Sequence, residues 1–170
     1  MDIETSGLLA GLIRGQRTAH LGTLRGGAPL VSMTLFLPGD FEGNGFSGGF
    51  SAFYLHVSRL AWHTQDMLHD ARVSLSIAET DDGRADPFTL MRVSIRGDAH
   101  QIAGEDESFR RLKAAWLERF PEQAVNFELA DFSFWRVAPR DARFVAGFGR
   151  IHNLSAEELK TAAAGSASPV

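Results

Sequence analysis

Between His56 and Leu75 the chain reads HVSRLAWHTQDMLHDARVSL. This stretch gathers a hydroxyl (Ser58), a guanidinium (Arg59), an imidazole (His63) and a second hydroxyl (Thr64) within seven residues. Such groups bind anions through charge-assisted hydrogen bonds. Leu60, Thr64, Met67, Leu68 and Ala71 fall at i, i+4, i+7, i+8 and i+11, the stripe of a short amphipathic helix. Ser58, Arg59 and His63 then lie at or just before its N-terminus, where first-turn amides lack intrahelical acceptors, an arrangement that suits a phosphate monoester. The same spacing fits a plain capped helix, with Ser58 as N-cap and Arg59 solvated. Local spacing leaves both readings open.

Other reactive groups are scattered. His20 falls in an expected strand and His69 on the helix, while His56 and His100 stand apart, and none makes a metal-ligand spacing. No metal centre is expected. A triad can be drawn from Ser58, His63 and Asp66, but the nucleophile elbow of a hydrolase is missing. The glycine-rich PGDFEGNGFSGGFS over 38–51 lacks the Lys-Ser/Thr that ends a P-loop and reads as a long, mobile hairpin connection. Late in the chain, Trp135 and Arg136, followed by Arg140 and Arg143, pair an aromatic with cations that could anchor a planar, charged ligand.

The elements that must position these groups follow from periodicity. Thr5 and Ser6 are N-cap candidates for a helix from Gly7 to Gln16, with Leu8, Leu9, Leu12 and Ile13 at helical spacing. Strands are expected at Thr18–Leu24 and Ala28–Leu37 around a Gly-Gly turn. Further strands fit Ala52–Val57, Val73–Ala78, Phe88–Gly97 (continued past a kink at Gly97-Asp98 to Ala103), Phe127–Val137 and Ala142–Ala146. On the second strand, Ser32 and Thr34 point one way and Val31, Met33 and Leu35 the other. Glu105, Asp106 and Glu107 open a helix carrying Phe109, Leu112, Trp116 and Phe120, which Pro121 stops. Ser155–Leu159 could make one helical turn, followed by a frayed end. Six or seven strands on hairpin-length connections predict a mainly β, antiparallel barrel with flanking helices.

The 170 residues suit a single domain over 1–154 with a short tail over 155–170. A net charge of −4 and a pI of about 5.8 argue against a nucleic-acid partner. The absence of cysteine removes disulfides and thiolate chemistry. The acidic start MDIETSGLL is no signal peptide and no apolar run matches a membrane span, so a cytoplasmic location and no membrane partner are expected.

The run SRLAWHTQDMLHDARVSL resembles the S-x-L-A-x-H-T-x-N-L segment of the pyridoxamine 5′-phosphate oxidase-like proteins, and more closely their haem-utilisation branch. GTLRGGAPLVSMTLF, MRVSIRG, DFSFWRVAP and FVAGFGRIHNL extend the likeness from about residue 8 to 154. The resemblance implies an antiparallel split β-barrel that forms a homodimer, with flavin mononucleotide (FMN) sites at the interface and a redox reaction on an unknown small-molecule substrate. It nominates Ser58, Arg59, His63 and Thr64 for the phosphate, Ser32, Met33 and Thr34 along the flavin ring, and Arg92 on the following strand. Trp135 and Arg143 would come from the second subunit. The family's helix Asn is Asp66 here, its strand lysine is Leu37, and Trp62-His63 stand where Arg-Lys would be. Haem is the alternative ligand, with His152 as candidate iron ligand. A non-enzymatic dimer with an empty cleft is the third reading.

Overall fold

The structure is a computed structural model and describes residues 1–42, 49–104, 106–147 and 149–165. Eight antiparallel strands form one sheet: β1 (Thr18–Arg25), β2 (Ala28–Leu35), β3 (Leu37–Gly39), β4 (Ala52–Ser58), β5 (Arg72–Ala78), β6 (Arg92–Gln101), β7 (Phe132–Val145) and β8 (Ile151–Ser155). The order is β2-β1-β5-β6-β7-β4-β3, with β8 also on β7. The two ends of that path, β2 and β3, are successive pieces of chain joined at the fully buried Phe36. The sheet therefore curls until its edges approach, and the split-barrel expectation holds.

The β1–β2 turn is fixed locally. Arg25 pairs with Ala28, leaving Gly26 and Gly27 as a two-residue loop, both with positive φ, as a type I′ turn requires. The long strand bends where the sequence places a kink. The β6–β7 register shifts between Arg96 and Gly97, and a Cβ on Gly97 would stand 2.4 Å from the Ala138 carbonyl oxygen, so the bulge needs a glycine.

Helices close both sides. α1 (Ile3–Gly15) begins four residues before the expected Gly7, because the Asp2 side chain caps it by accepting the Thr5 N–H at 2.7 Å. α4 (Ala156–Ala164) replaces the single turn and frayed end expected after Ser155. A Ser155/Glu158 capping box starts it, and Arg14 donates to the carbonyls of Ala163 and Ala164 at its end. Residues 166–170 lie outside the described residues. Leu159 and Ala163 of α4 pack with Leu9 and Ile13 of α1 into the main core.

A second core lies on the other face of β4, where Tyr54 and Ala52 meet Leu112, Trp116 and Phe120 of α3 (Glu107–Arg119) and Phe134 of β7. β4 is apolar on both faces, since it is buried between two cores. Asp106 caps α3 by accepting the Phe109 N–H at 3.0 Å, while Glu105 falls outside the described residues. The expected strand start at Phe127 is corrected: Pro121–Glu128 winds as 3-10 turns and β7 begins at Phe132. β7 also runs unbroken through Ala138–Asp141, because β6 flanks it for almost its full length. Phe88 belongs to a 3-10 turn, Pro87–Thr89, rather than to β6. β8 was not expected. Residues 43–48 of the glycine-rich loop fall outside the described residues, as does Phe148 of GFGR.

Candidate functional site

The short helix α2 (Trp62–His69) follows β4 through Arg59-Leu60-Ala61, and its N-cap, Ala61, makes no side-chain cap bond. Ser58 is therefore not the cap. Its hydroxyl donates to the Asp131 carboxylate in a short hydrogen bond and accepts the Leu60 N–H at 3.0 Å. The Arg59 N–H reaches the Asp131 carbonyl at 2.7 Å, and the Arg59 side chain is exposed. The expected apolar stripe is also corrected. Leu60 and Leu68 are 75% and 54% exposed, and the residues α2 buries are Thr64, Asp66 and Met67.

Two unpaired polar atoms mark the first turn of α2. Thr64 is 1% exposed and its Oγ1 has no partner, and the same holds for the buried Nε2 of His63. Burial lowers the His63 pKa, which the Asp66 carboxylate opposes. A buried hydroxyl and imidazole left unpaired carry a desolvation cost that a bound group can relieve. At the N-terminus of α2, where the Thr64 N–H is already held by the Ala61 carbonyl at 3.2 Å, these two atoms suit a phosphate or carboxylate.

Asp66 points neither at such an anion nor outward. It is 4% exposed, accepting the Thr23 hydroxyl at 2.8 Å and Arg25 Nη1 at 2.9 Å. The Arg25 guanidinium lies 4.3 Å from the centre of the Trp62 ring. Thr23, Arg25, Trp62 and Asp66 thus lock the β1–β2 hairpin to α2. Arg25 and Asp131 were missed in the sequence. Arg25 lies one residue before a recognisable turn and Asp131 opens the DFSFWRVAP run, but their partners are 41 and 73 residues away.

The remaining nominated residues divide between the two faces of the sheet. Ser32 and Thr34 lie opposite Leu21 and Ala19 on the inner face, and Thr34 is 5% exposed. Met33 lies on the outer face opposite His20 and is 65% exposed, so the three do not form one wall. Arg143 is on the outer face as well, donating to Asn153 at 2.9 Å. Arg92 holds the preceding turn through the carbonyls of Phe88 and Leu90. Trp135 is corrected: it is 3% exposed, packs in the main core and donates its indole N–H to Ser133, so it offers no ring face to a ligand. Leu37, in place of the family's lysine, is 8% exposed in the second core. His152 pairs with Phe144 on β8, half-buried, with ring centres 6.4 Å apart. Among the described residues no group of three or more His, Cys, Asp or Glu is placed to hold a metal ion.

On the outer face, Gly22, Val31, Ser74, Arg96 and Arg140 line a cavity of about 470 Å³. Gly22 lies opposite both Val31 and Ser74, giving an apolar wall and a floor of small residues, and the rim arginines Arg96 and Arg140 are paired with Asp141, at 2.7 Å, and with Asp98.

The description "Pyridoxamine 5′-phosphate oxidase" matches residues 8–146. The chain belongs to this family. Within it, the chain is 25% identical to the heme oxygenase HutZ of Vibrio cholerae over 146 residues, covering 85% of this chain and 77% of that protein. It is 36% identical over 93 residues to a non-canonical heme oxygenase, HOZ, of Arabidopsis thaliana chloroplasts, covering 55% of this chain but only 27% of that protein. A solved heme binding protein from Mycobacterium smegmatis superposes with a TM-score of 0.74 at 26% identity, covering 92% of this chain and 60% of that one. HutZ and HOZ belong to the haem-utilisation branch of the split barrels. No described helix is long and apolar enough to cross a membrane.

Proposed function

We propose that this chain is a haem-binding member of its family, and a candidate for oxidative opening of the haem ring, rather than a flavin oxidoreductase. The observation that carries the reading is the kinship with two heme oxygenases, HutZ and HOZ. Local chemistry supports it. Of the residues nominated to grip a flavin phosphate, Ser58 is bonded to a carboxylate, and Asp66, where the family has Asn, ties down the nearby Arg25. A haem needs an apolar bed, cations for its carboxylates and a donor for iron. The outer-face cavity supplies the apolar bed through Val31, and Arg96 and Arg140 on its rim would pair the haem carboxylates in exchange for Asp141 and Asp98. His20, beside Met33 on that face, is the donor candidate for this cavity, and His152, paired with the core residue Phe144 on the other face of β8, is the candidate the resemblance nominates. A bound haem would supply the iron at which oxygen is activated. The chain's own part would be to bed the macrocycle, pair its carboxylates and limit the access of water.

The exposed Val31, Met33 and Ile151 on the outer sheet face support a homodimer as part of this reading. Its mass in solution, by light scattering, would be twice that of the chain, and a monomer would remove that part.

The unpaired Thr64 and His63 favour a second reading, FMN binding through its phosphate. Parallel titration with hemin and with FMN separates the two. A saturable haem absorption band without flavin quenching supports the first reading, and the reverse supports the second. His20→Ala and His152→Ala identify the iron donor by which substitution abolishes the band.

A further inference from the structure

His56 sits in an aromatic box that the haem and flavin readings do not use. It faces the second core from β4, stacked on Phe127 with ring centres 4.1 Å apart and planes 13° from parallel. Phe132 and Phe134 of β7 lie 5.3 and 4.6 Å from it, and Trp116 of α3 lies 5.8 Å away. Lys113 of α3 lies 4.6 Å from the centre of the same Phe127 ring. Neither His56 Nδ1 nor the indole N–H of Trp116 has a partner, and both atoms are buried. The box is closed by α3 and the 3-10 segment Pro121–Glu128, a stretch inserted between β6 and β7. Those two strands pair with each other through ten residues, Arg92 to Gln101. The insertion can therefore lift away while the barrel stays closed, as a local opening unit does.

We propose that His56 is an acid-sensitive latch: neutral, it holds α3 and the 3-10 segment on the barrel, and protonated, it releases them as a unit. The reason is the surroundings of the ring. Protonation puts an N–H on both ring nitrogens, and the buried Nδ1 has no acceptor for it. The elements packed on His56 offer rings from β7, from the 3-10 segment and from α3. The one charged group acting on it is Lys113, which repels a second cation. No carboxylate among the described residues compensates. Burial first, and Lys113 second, lower the His56 pKa to about 4. The sign follows. A folded pKa below the ordinary value of 6.5 means that the open form binds the proton more tightly, so docking is complete above about pH 6.5 and weakens as pH falls toward 4. The other ties of the segment, Arg119 to the carbonyls of Arg14 and Gln16 and Arg17 to Glu122, involve no imidazole.

The test is hydrogen exchange of the full chain at pH 7 and pH 5, corrected for intrinsic rates. With an open-state pKa of 6.5 and a docked value of about 4, the opening equilibrium of 107–128 should rise up to about 20-fold, while at each pH β5 and β6 exchange through a separate, rarer opening. His56→Phe keeps a ring in the box and should abolish that rise; if it does not fold, His56→Met serves. The imidazole resonances of the wild type give an independent readout, with His56 titrating well below pH 6. The latch is refuted if 107–128 exchange with the same opening equilibrium as β5–β6 at both pH values, since the segment would then open only with the whole chain. It is refuted equally by a response that survives the substitution, or by an imidazole titrating at 6.5 or above because the rings stabilise the cation.

Discussion

Removing the Asp66 carboxylate is the most direct perturbation of the lock between the β1–β2 hairpin and α2. The carboxylate accepts two bonds, one from a neutral hydroxyl and one from a guanidinium, and is 4% exposed. Bonds to a charged group contribute about 1.5–3 kcal/mol each, and a fully buried broken pair costs about 3–5 kcal/mol. The Arg25 side chain is 39% exposed, so it rehydrates when its partner is lost and the figure falls toward the lower end. Asp66→Ala should therefore destabilise by about 2–3 kcal/mol, since Thr23 is left without an acceptor. Asp66→Asn, which keeps an acceptor but no charge, should cost about 1 kcal/mol. For a chain of this size 1 kcal/mol moves Tm by about 2–4 °C, so Asp66→Ala should melt about 4–12 °C lower. The assay is thermal and urea unfolding of wild type, Asp66→Ala, Arg25→Ala and the double variant. The account requires a coupling of about 1 kcal/mol or more between the two positions. Strict additivity, or an Asp66→Ala loss under about 0.5 kcal/mol, would refute the lock.

Other consequences can be checked separately. Leu159→Ala should cost about 2–4 kcal/mol by urea unfolding, because Leu159 is fully buried in the main core; a loss under about 1 kcal/mol would mean that α4 is not part of it. Gly97→Ala should lower Tm by several degrees, since the added carbon meets the Ala138 carbonyl oxygen and backbone cannot move aside as a side chain can. Thr64→Val, nearly the same shape without the unpaired hydroxyl, should be neutral or stabilising in the ligand-free protein yet weaken any ligand whose anionic group enters the first turn of α2. Because burial lowers the pKa values of both His56 and His63, stability should fall as pH drops below about 6.5, and His63→Gln should remove part of that slope.

Much of the barrel was legible because its cues are local. The Gly-Gly hairpin, the alternation of MRVSIRG and the Pro121 stop are each written within a few residues. What was missed depends on distant partners. β8 has only five residues and forms because β7 offers it an edge. Phe127–Leu129 has strand-forming character, yet Phe127 is drawn into the stack on His56 and leaves the sheet. In the site, the motif brought His63 and Thr64 to the start of a helix. It could not reveal that Ser58 gives its proton to Asp131, or that Asp66 turns inward to Arg25. Trp135 was misread for the same reason: alternation says which residues share a face, but only the second layer of helices decides that both faces of β4 and much of β7 are buried.

The central claim is the ligand, and difference absorption spectroscopy of the purified chain during a hemin titration tests it most directly. The account predicts an intense haem band that saturates at one hemin per chain and is lost on substituting one of His20 and His152, with no quenching of FMN fluorescence in the parallel titration. A flat hemin difference spectrum together with saturable FMN quenching that Thr64→Val weakens would contradict it.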